Sequence, residues 1–126
     1  MKNVFNAVFF YLLLTFIFTS CEWKSEEETT PSTDCDTSQV TLSGTVKPIL
    51  TTNCYACHSA QSSSSFGAGI NLEDYQSLKV RADGGSLLGS VSHTSGFSPM
   101  PKGASKISAC DISKIEAWIN NGAPND

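Results

Sequence analysis

The sequence predicts an all-α domain that follows an export signal and a polar linker. Three segments of the chain repeat apolar residues with helical spacing, and the stretches between them lack the sustained apolar–polar alternation of a strand. The net charge of −4 over 126 residues argues against a nucleic-acid-binding protein. We expect about three to four helices with long loops in residues 39–126.

The first 20 residues have the pattern of a secretory signal peptide. A short cationic start precedes an apolar run from Val4 to Phe18. A run of this length suits the hydrophobic segment of an export signal and is short for a membrane span. We therefore expect residues 1–20 to be removed and the protein to be exported.

The cysteine that follows resembles the acceptor of a bacterial lipobox, because the small residues Thr19 and Ser20 stand directly before Cys21. The resemblance implies cleavage before Cys21 and acylation of its sulfur and amino group. Several acyl chains would hold the protein on a membrane of the bacterial cell envelope, facing the periplasm or the cell surface. An uncleaved anchor and plain secretion are the alternatives.

Residues 21–38 are expected to form a flexible tether. The stretch from Glu22 to Thr33 has one aromatic residue, no aliphatic residue and a run of three acids. This composition buries too little apolar surface to offset the entropy lost on ordering. The acidic run also resembles the surface-export signals of some Gram-negative lipoproteins, but a solvated linker is the simpler interpretation.

The last predicted helix carries the strongest local signals. Ser108 and Asp111 form a plausible capping box, and isoleucines recur at positions 112, 115 and 119 beside Trp118. Gly122 and Pro124 end this helix.

Two earlier helices are predicted from weaker signals. The first runs from about Thr45 to Thr52, with Pro48 in its first turn. The middle helix begins after Asn71, which serves as its cap, and ends at the pair of glycines 84 and 85. Val80 is a further candidate for its apolar face. The serine tract at positions 62–65 is interpreted as a mobile loop, and a short turn is possible at positions 87–88.

The pentapeptide Cys54-Tyr55-Ala56-Cys57-His58 follows the first helix and has the Cys-x-x-Cys-His pattern of c-type haem attachment. Two sulfurs three residues apart on a tight turn can form thioethers with the two vinyl groups on one edge of a porphyrin. The adjacent His58 can then donate an imidazole nitrogen to the iron. These three residues are the predicted attachment and ligand site of one covalent haem c.

Two other uses of paired cysteines compete with this interpretation. A thioredoxin-like site expects a preceding strand in a βαβ context, which the sequence lacks. A zinc site could combine Cys54, Cys57, His58 and His93, although no second Cys-x-x-Cys and no spaced histidine pair follows.

Met100 is the predicted second iron ligand. It lies between Pro99 and Pro101 in a polar loop, where the prolines stiffen the chain. Its thioether is a soft ligand that favours ferrous iron. His93, seven residues earlier, is the rival ligand, although an exposed position or one near a haem propionate suits it better.

Together these residues resemble the class I monohaem c-type cytochromes with His/Met ligation, in their bacterial lipoprotein form. The resemblance runs from about Val40 to Pro124 and is carried by the pentapeptide, by Met100-Pro101 and by a terminal helix with an aromatic residue. It implies a small cytochrome c-like fold around one covalent haem. It also implies that the first and last helices pack against each other near that haem.

The five cysteines of the chain leave one pair unassigned, Cys35 and Cys110. The resemblance places the elements that they flank side by side, which implies a disulfide between them. Two free thiols are the alternative, less common in an exported protein.

The predicted function is that of a one-electron carrier, not an enzyme. With both axial positions filled by His58 and Met100, no coordination site is open for oxygen or peroxide. The partners would be exported redox proteins, reached from a lipid anchor at Cys21, with no nucleic acid involved. A haem-based gas-binding or sensing module, from which Met100 departs, is the alternative, and a structural zinc domain is a third.

Overall fold

The computed structural model describes residues 35–126, which belong to one compact unit. The predicted signal peptide, the predicted lipidation at Cys21 and residues 21–34 of the predicted tether lie outside the described residues. Within residues 35–126 the regular structure is entirely helical, so the all-α prediction is confirmed for this part of the chain.

The described residues form a π-helical turn and six α-helices. In chain order these are the π-helical turn Leu42–Val46, α1 (Lys47–Asn53), α2 (Tyr55–His58), α3 (Ser63–Phe66), α4 (Tyr75–Asp83), α5 (Ser86–Val91) and α6 (Ala109–Asn120). The prediction of three to four helices was therefore too low. The additional helices are short, and α2 and α3 are single turns that a periodicity of apolar residues cannot reveal.

The first helical segment begins earlier than predicted, at Leu42. Thr41 caps it, because its hydroxyl accepts a hydrogen bond from the Gly44 N–H at 3.0 Å. The Thr41 carbonyl accepts from the amides of both Thr45 and Val46, so the first turn is wider than an α-helical turn. Pro48 lies in the first turn of α1, as predicted.

The core joins the first helical segment to the last, as expected. Helix α6 packs against the π-helical turn, and Val46, Leu50, Ile115 and Trp118 are fully buried. The Trp118 indole N–H donates to the Pro124 carbonyl at 3.0 Å, which satisfies the one polar atom of the largest core side chain. Within residues 35–126 the buried apolar residues are Val40, Leu42, Val46, Ile49, Leu50, Leu72, Leu78, Ala82, Leu87, Val91, Ile107, Ile115, Trp118 and Ala123.

The middle helix begins one turn later than predicted. Its cap is Asp74, whose carboxylate accepts from the Ser77 N–H at 2.8 Å. Asn71, the predicted cap, instead accepts from the amides of Glu73 and Asp74 in a turn before the helix. Val80 is exposed, and Leu78 with position 82 forms the buried side of α4.

Both predicted ends of the last helix are confirmed. The Ser108 hydroxyl accepts from the Asp111 N–H at 3.0 Å. At the other end Gly122 adopts a φ of 88°, the amide of Gly122 bonds to the Ile119 carbonyl, and the next amide bonds to the Trp118 carbonyl. This pairing is a Schellman motif, which requires the left-handed conformation that glycine adopts without strain.

The disulfide between Cys35 and Cys110 is present, with the Cα atoms 5.4 Å apart. It joins the segment before the first helix to the start of α6, as the resemblance implied. Residues 35–38, which the sequence assigned to the tether, are therefore attached to the domain at Cys35.

Candidate haem-attachment site

The predicted attachment residues lie in one helical turn, formed by Cys54 and the helix α2 (Tyr55–His58), which we call the attachment turn. Helix α1 ends at Asn53, and Cys54 turns the chain into α2 while its N–H still donates to the Leu50 carbonyl at 2.8 Å. The Cys54 carbonyl then accepts from the amides of Cys57 and His58, at 3.1 and 2.9 Å. Residues three apart in such a turn share a face, so the two thiols leave the same side of the helix.

The His58 ring is fixed by a hydrogen bond to the backbone. Its Nδ1 lies 3.0 Å from the Ile70 carbonyl, and because a carbonyl only accepts, Nδ1 is the protonated nitrogen. In the neutral ring the other nitrogen, Nε2, then carries the lone pair. A hydrogen bond of this kind is what orients a metal-ligating histidine and selects its tautomer.

The segment after α3 closes around His58. The Leu72 N–H donates to the His58 carbonyl at 2.8 Å. A Cβ atom at Gly67 would lie 2.5 Å from the Cys57 carbonyl oxygen and 2.9 Å from His58 Nδ1, so no larger residue fits there without moving the site. Gly67 thus allows the chain to approach His58 closely enough for the Ile70 carbonyl to reach its ring.

The serine tract is ordered by hydrogen bonds to the same turn, so its interpretation as a loop was wrong. The hydroxyls of Ser59 and Ser62 lie 2.7 Å apart, and Ser62 Oγ donates to the Tyr55 carbonyl at 3.2 Å. Ser63, the first residue of α3, is buried. The tract is therefore hydrogen-bonded to the attachment turn.

The two thiols of the pentapeptide are free, and their surroundings differ. Cys57 is exposed, whereas Cys54 is half-buried against the core. Burial raises the pKa of the Cys54 thiol to about 11. Redox-active Cys-x-x-Cys pairs depend on a lowered thiol pKa and follow a strand, and the described part of the chain has no strand, so the geometry does not favour the thioredoxin-like alternative.

The zinc alternative is not supported either. Across residues 35–126, no group of three or more histidine, cysteine, aspartate or glutamate side chains is arranged to hold a metal ion. His93, the fourth ligand that a zinc site would need, makes its contact elsewhere, with the Met100 carbonyl.

Two buried donors have no acceptor among the described residues. These are the Tyr55 hydroxyl, inside the attachment turn, and Nε of Arg81 on α4. Burial raises the pKa of Tyr55, and the nearby Glu73 and Cys54 add to the shift. Because buried donors in native proteins almost always find partners, each of these groups needs an acceptor from water or a bound ligand.

Large apolar side chains are also exposed near the predicted site in sequence. Phe66 is 76% exposed and directly precedes Gly67, and Phe97, three residues before Met100, is 39% exposed. Both rings therefore leave apolar surface that a bound ligand could cover.

Met100 lies on the loop that follows α5, and both of its backbone polar groups are bonded. Its N–H donates to the Ser90 carbonyl at 3.0 Å, and its carbonyl accepts from His93 Nε2 at 3.0 Å. Phe97 holds the same loop against α5, since its ring occupies the space that a Cβ of Gly89 would fill. The Met100 side chain therefore starts from a fixed backbone.

The structure brings together Cys54, Cys57 and His58 but holds Met100 by separate contacts. In the part of the chain that the structure describes, no hydrogen bond joins the Met100 loop to the pentapeptide. Joint ligation by His58 and Met100 stays a prediction.

Three contributions to this site were not predicted from the sequence. Ile70 acts through its carbonyl, which any residue type carries, and Gly67 stood in a tract that resembled a loop. His93 was assigned to an exposed position or to a propionate, but it is half-buried and bonded to the Met100 loop. The glycine that follows the serine tract is the one sequence signal that could have pointed to Gly67.

No helix within residues 35–126 has the length and apolar character that a bilayer span requires. Comparison with known proteins returned no matching family model, no matching curated protein and no matching solved structure.

Proposed function

We propose that this protein is a lipid-anchored c-type cytochrome that carries single electrons between exported redox proteins. The observation that carries the proposal is the hydrogen bond from His58 Nδ1 to the Ile70 carbonyl, in the turn that also presents two free thiols. It leaves Nε2 as the ring nitrogen with a free lone pair, directly after the second cysteine.

The residues of the turn fit a covalent haem. Both cysteine sulfurs are free of disulfide bonds, and the buried Tyr55 hydroxyl of the same turn is a donor without an acceptor in residues 35–126, as is Nε of Arg81 on α4. A porphyrin would supply carboxylates for such donors and apolar surface for the exposed aromatic rings. Cys54 and Cys57 would attach the group, and His58 and Met100 would bind its iron. When bound, the haem supplies reversible ferrous–ferric chemistry.

The chain's own residues then set the conditions for electron transfer. The Ile70 carbonyl keeps the His58 ring in one orientation and increases its basicity. The bonded backbone of Met100 limits the freedom that its thioether would lose on ligation. Cys54 is half-buried and Cys57 is exposed, so one attachment point lies at the protein surface, where a redox partner can approach.

The anchor and the tether complete the proposal. Acylation of Cys21 would restrict the protein to a membrane surface of the cell envelope, and residues 21–34 would let the domain sample partners there. The redox partners are other exported proteins. No enzymatic activity is proposed, because the predicted ligand pair leaves no iron position open for substrate.

A reductive titration of the holoprotein, matured in a host that attaches haem c, tests this function. We expect one haem to titrate as a single-electron couple, with low-spin spectra in both states. A Met100→Ala variant should lose the sulfur-to-ferric-iron charge-transfer band and show a lower potential, while the control Lys102→Ala, an exposed neighbour, should resemble the wild type.

Carbon monoxide separates the carrier from the gas-binding alternative. A stable ligand pair resists carbon monoxide in the ferrous wild-type protein and admits it in Met100→Ala. Rapid, stoichiometric binding to the wild type would contradict the carrier and favour the sensing module. Stoichiometric zinc without haem in the purified protein would contradict both.

A further inference from the structure

We infer that His93 is a positioning residue that holds Met100 in place for iron ligation, and that it thereby keeps the protein a carrier rather than a gas-binding module. The inference rests on the proposed function. Its basis is the contact between His93 Nε2 and the Met100 carbonyl, 3.0 Å apart across seven residues of chain.

The role of the His93 ring follows from its partner. A carbonyl oxygen accepts and cannot donate, so Nε2 carries the proton in this contact. A ring nitrogen that is protonated and bonded to a carbonyl is not available to bind iron. The same contact that links His93 to Met100 therefore argues against ligation of the iron through Nε2 of His93.

The turn at His93 carries a side chain where glycine would be less strained. Its φ is 54°, in the left-handed region where glycine is preferred and a side chain costs conformational energy. The amide of His93 bonds to the Ser90 carbonyl, and the next amide bonds to the Gly89 carbonyl, so the turn ends α5. Glycine would satisfy this turn with less strain, but it would remove the only side-chain bond to Met100 among the described residues.

Met100 is held on both sides by this arrangement. The Ser90 carbonyl accepts from the Met100 N–H, and His93 donates to the Met100 carbonyl. The pyrrolidine ring of Pro101 restricts the backbone of Met100, which precedes it. Ordering Met100 during folding means that less freedom is lost when its sulfur binds. Without the His93 bond, the half-buried Met100 carbonyl has no donor and the loop gains freedom. The Met100 sulfur should therefore leave the iron more often.

Three holoprotein variants test this role. His93→Gly removes the hydrogen bond and relieves the positive φ, and His93→Gln places an amide donor at the position of Nε2. Ser95→Ala changes an exposed residue of the same loop and serves as the control. We expect His93→Gly to raise the population of the methionine-free form about fivefold, with a matching rise in carbon monoxide binding to the ferrous protein. The glutamine variant and the control should stay close to the wild type.

The global melt separates positioning from stability. Glycine relieves strain at this turn, which offsets the lost hydrogen bond, so the melt followed by far-ultraviolet circular dichroism should change little in His93→Gly. The charge-transfer band should nevertheless fade at a lower temperature, because Met100 is held less firmly. Equal band stability and equal carbon monoxide binding in His93→Gly and wild type would overturn the inference and leave the carrier function standing. A wild type without haem would overturn both.

A second measurement does not depend on any variant folding. Nitrogen-15 NMR of the wild-type holoprotein should show the His93 ring protonated at Nε2, with a slowly exchanging proton. A ring protonated only at Nδ1, with Nε2 on the iron, would overturn the inference and restore His93 as the sixth ligand.

Discussion

Removal of the Cys35–Cys110 disulfide should lower the stability of the domain more than any surface substitution. The two cysteines are 75 residues apart in sequence, so the bond closes most of the described chain into one loop. Beyond the disulfide, the chain before the first helix is held by Val40 and Leu42 in the core. We expect the Cys35→Ser/Cys110→Ser variant to keep its helices while residues 35–39 detach.

The magnitude comes mainly from the unfolded state. In the chain-entropy model a loop of this length restricts the unfolded chain by about 4 kcal/mol at 25 °C. Helix α6 keeps its own cap at Ser108, and its contact with the π-helical turn does not involve the disulfide. The folded state should therefore change little, and the variant should melt about 15 °C or more below the wild type.

Denaturant unfolding of the holoprotein, followed by circular dichroism, measures this loss. The wild type in dithiothreitol serves as the matched control, because it should fall to the stability of the variant while the variant itself does not respond. A loss smaller than about 1 kcal/mol, or a variant that reductant destabilises further, would refute the reasoning. Thioether attachment is not reduced under these conditions, so the haem stays in place throughout.

Further predictions concern the attachment turn and the last helix. Gly67→Ala should displace His58 and destabilise the domain by about 1 to 3 kcal/mol with altered haem spectra, whereas Gly84→Ala, whose Cβ meets only one carbonyl at 3.1 Å, should alter neither the spectra nor His58. An unchanged Soret spectrum in Gly67→Ala would show that the turn adapts. Ser108→Ala should cost about 1 kcal/mol in denaturant unfolding through the lost cap, and a neutral effect would mean that water replaces it. Trp118→Phe should cost about 1 to 3 kcal/mol, because a fully buried ring shrinks and its N–H bond is lost; an equal melting temperature would contradict its place in the core.

Elements whose signals are local could be predicted from the sequence. The prediction of the last helix was confirmed at both ends. Ser108 bonds within one turn, and Gly122 adopts the left-handed conformation that glycine allows without strain. The packing of this helix on the first helical segment was implied by the resemblance to class I c-type cytochromes, and the local apolar pattern alone did not give it. The all-α class needed only the absence of alternating patterns.

Elements that depend on contacts between distant residues could not be predicted from the sequence. By residue type Asn71 and Asp74 are equally good caps. The structure caps the helix with Asp74, and Leu72 between them is buried and donates to the His58 carbonyl. The serine tract became helical because Ser62 bonds back to Tyr55, seven residues earlier. No local pattern records either contact.

The site divides along the same line. The two thiols and His58 could be predicted from the pentapeptide, because the Cys-x-x-Cys-His spacing itself indicates their chemistry. The bond to Ile70 spans 12 residues and uses a backbone carbonyl, so it has no residue-type signature. The contact from His93 to Met100 depends on a left-handed turn at a residue other than glycine, which sequence patterns rarely indicate.

The most direct test of the central claim is the intact mass of the denatured protein after expression in a host that attaches haem c. The account predicts a mass increase equal to one haem that survives acid and organic extraction, together with a Soret band, and predicts that Cys54→Ser/Cys57→Ser abolishes both. A colourless protein with the bare polypeptide mass would contradict it.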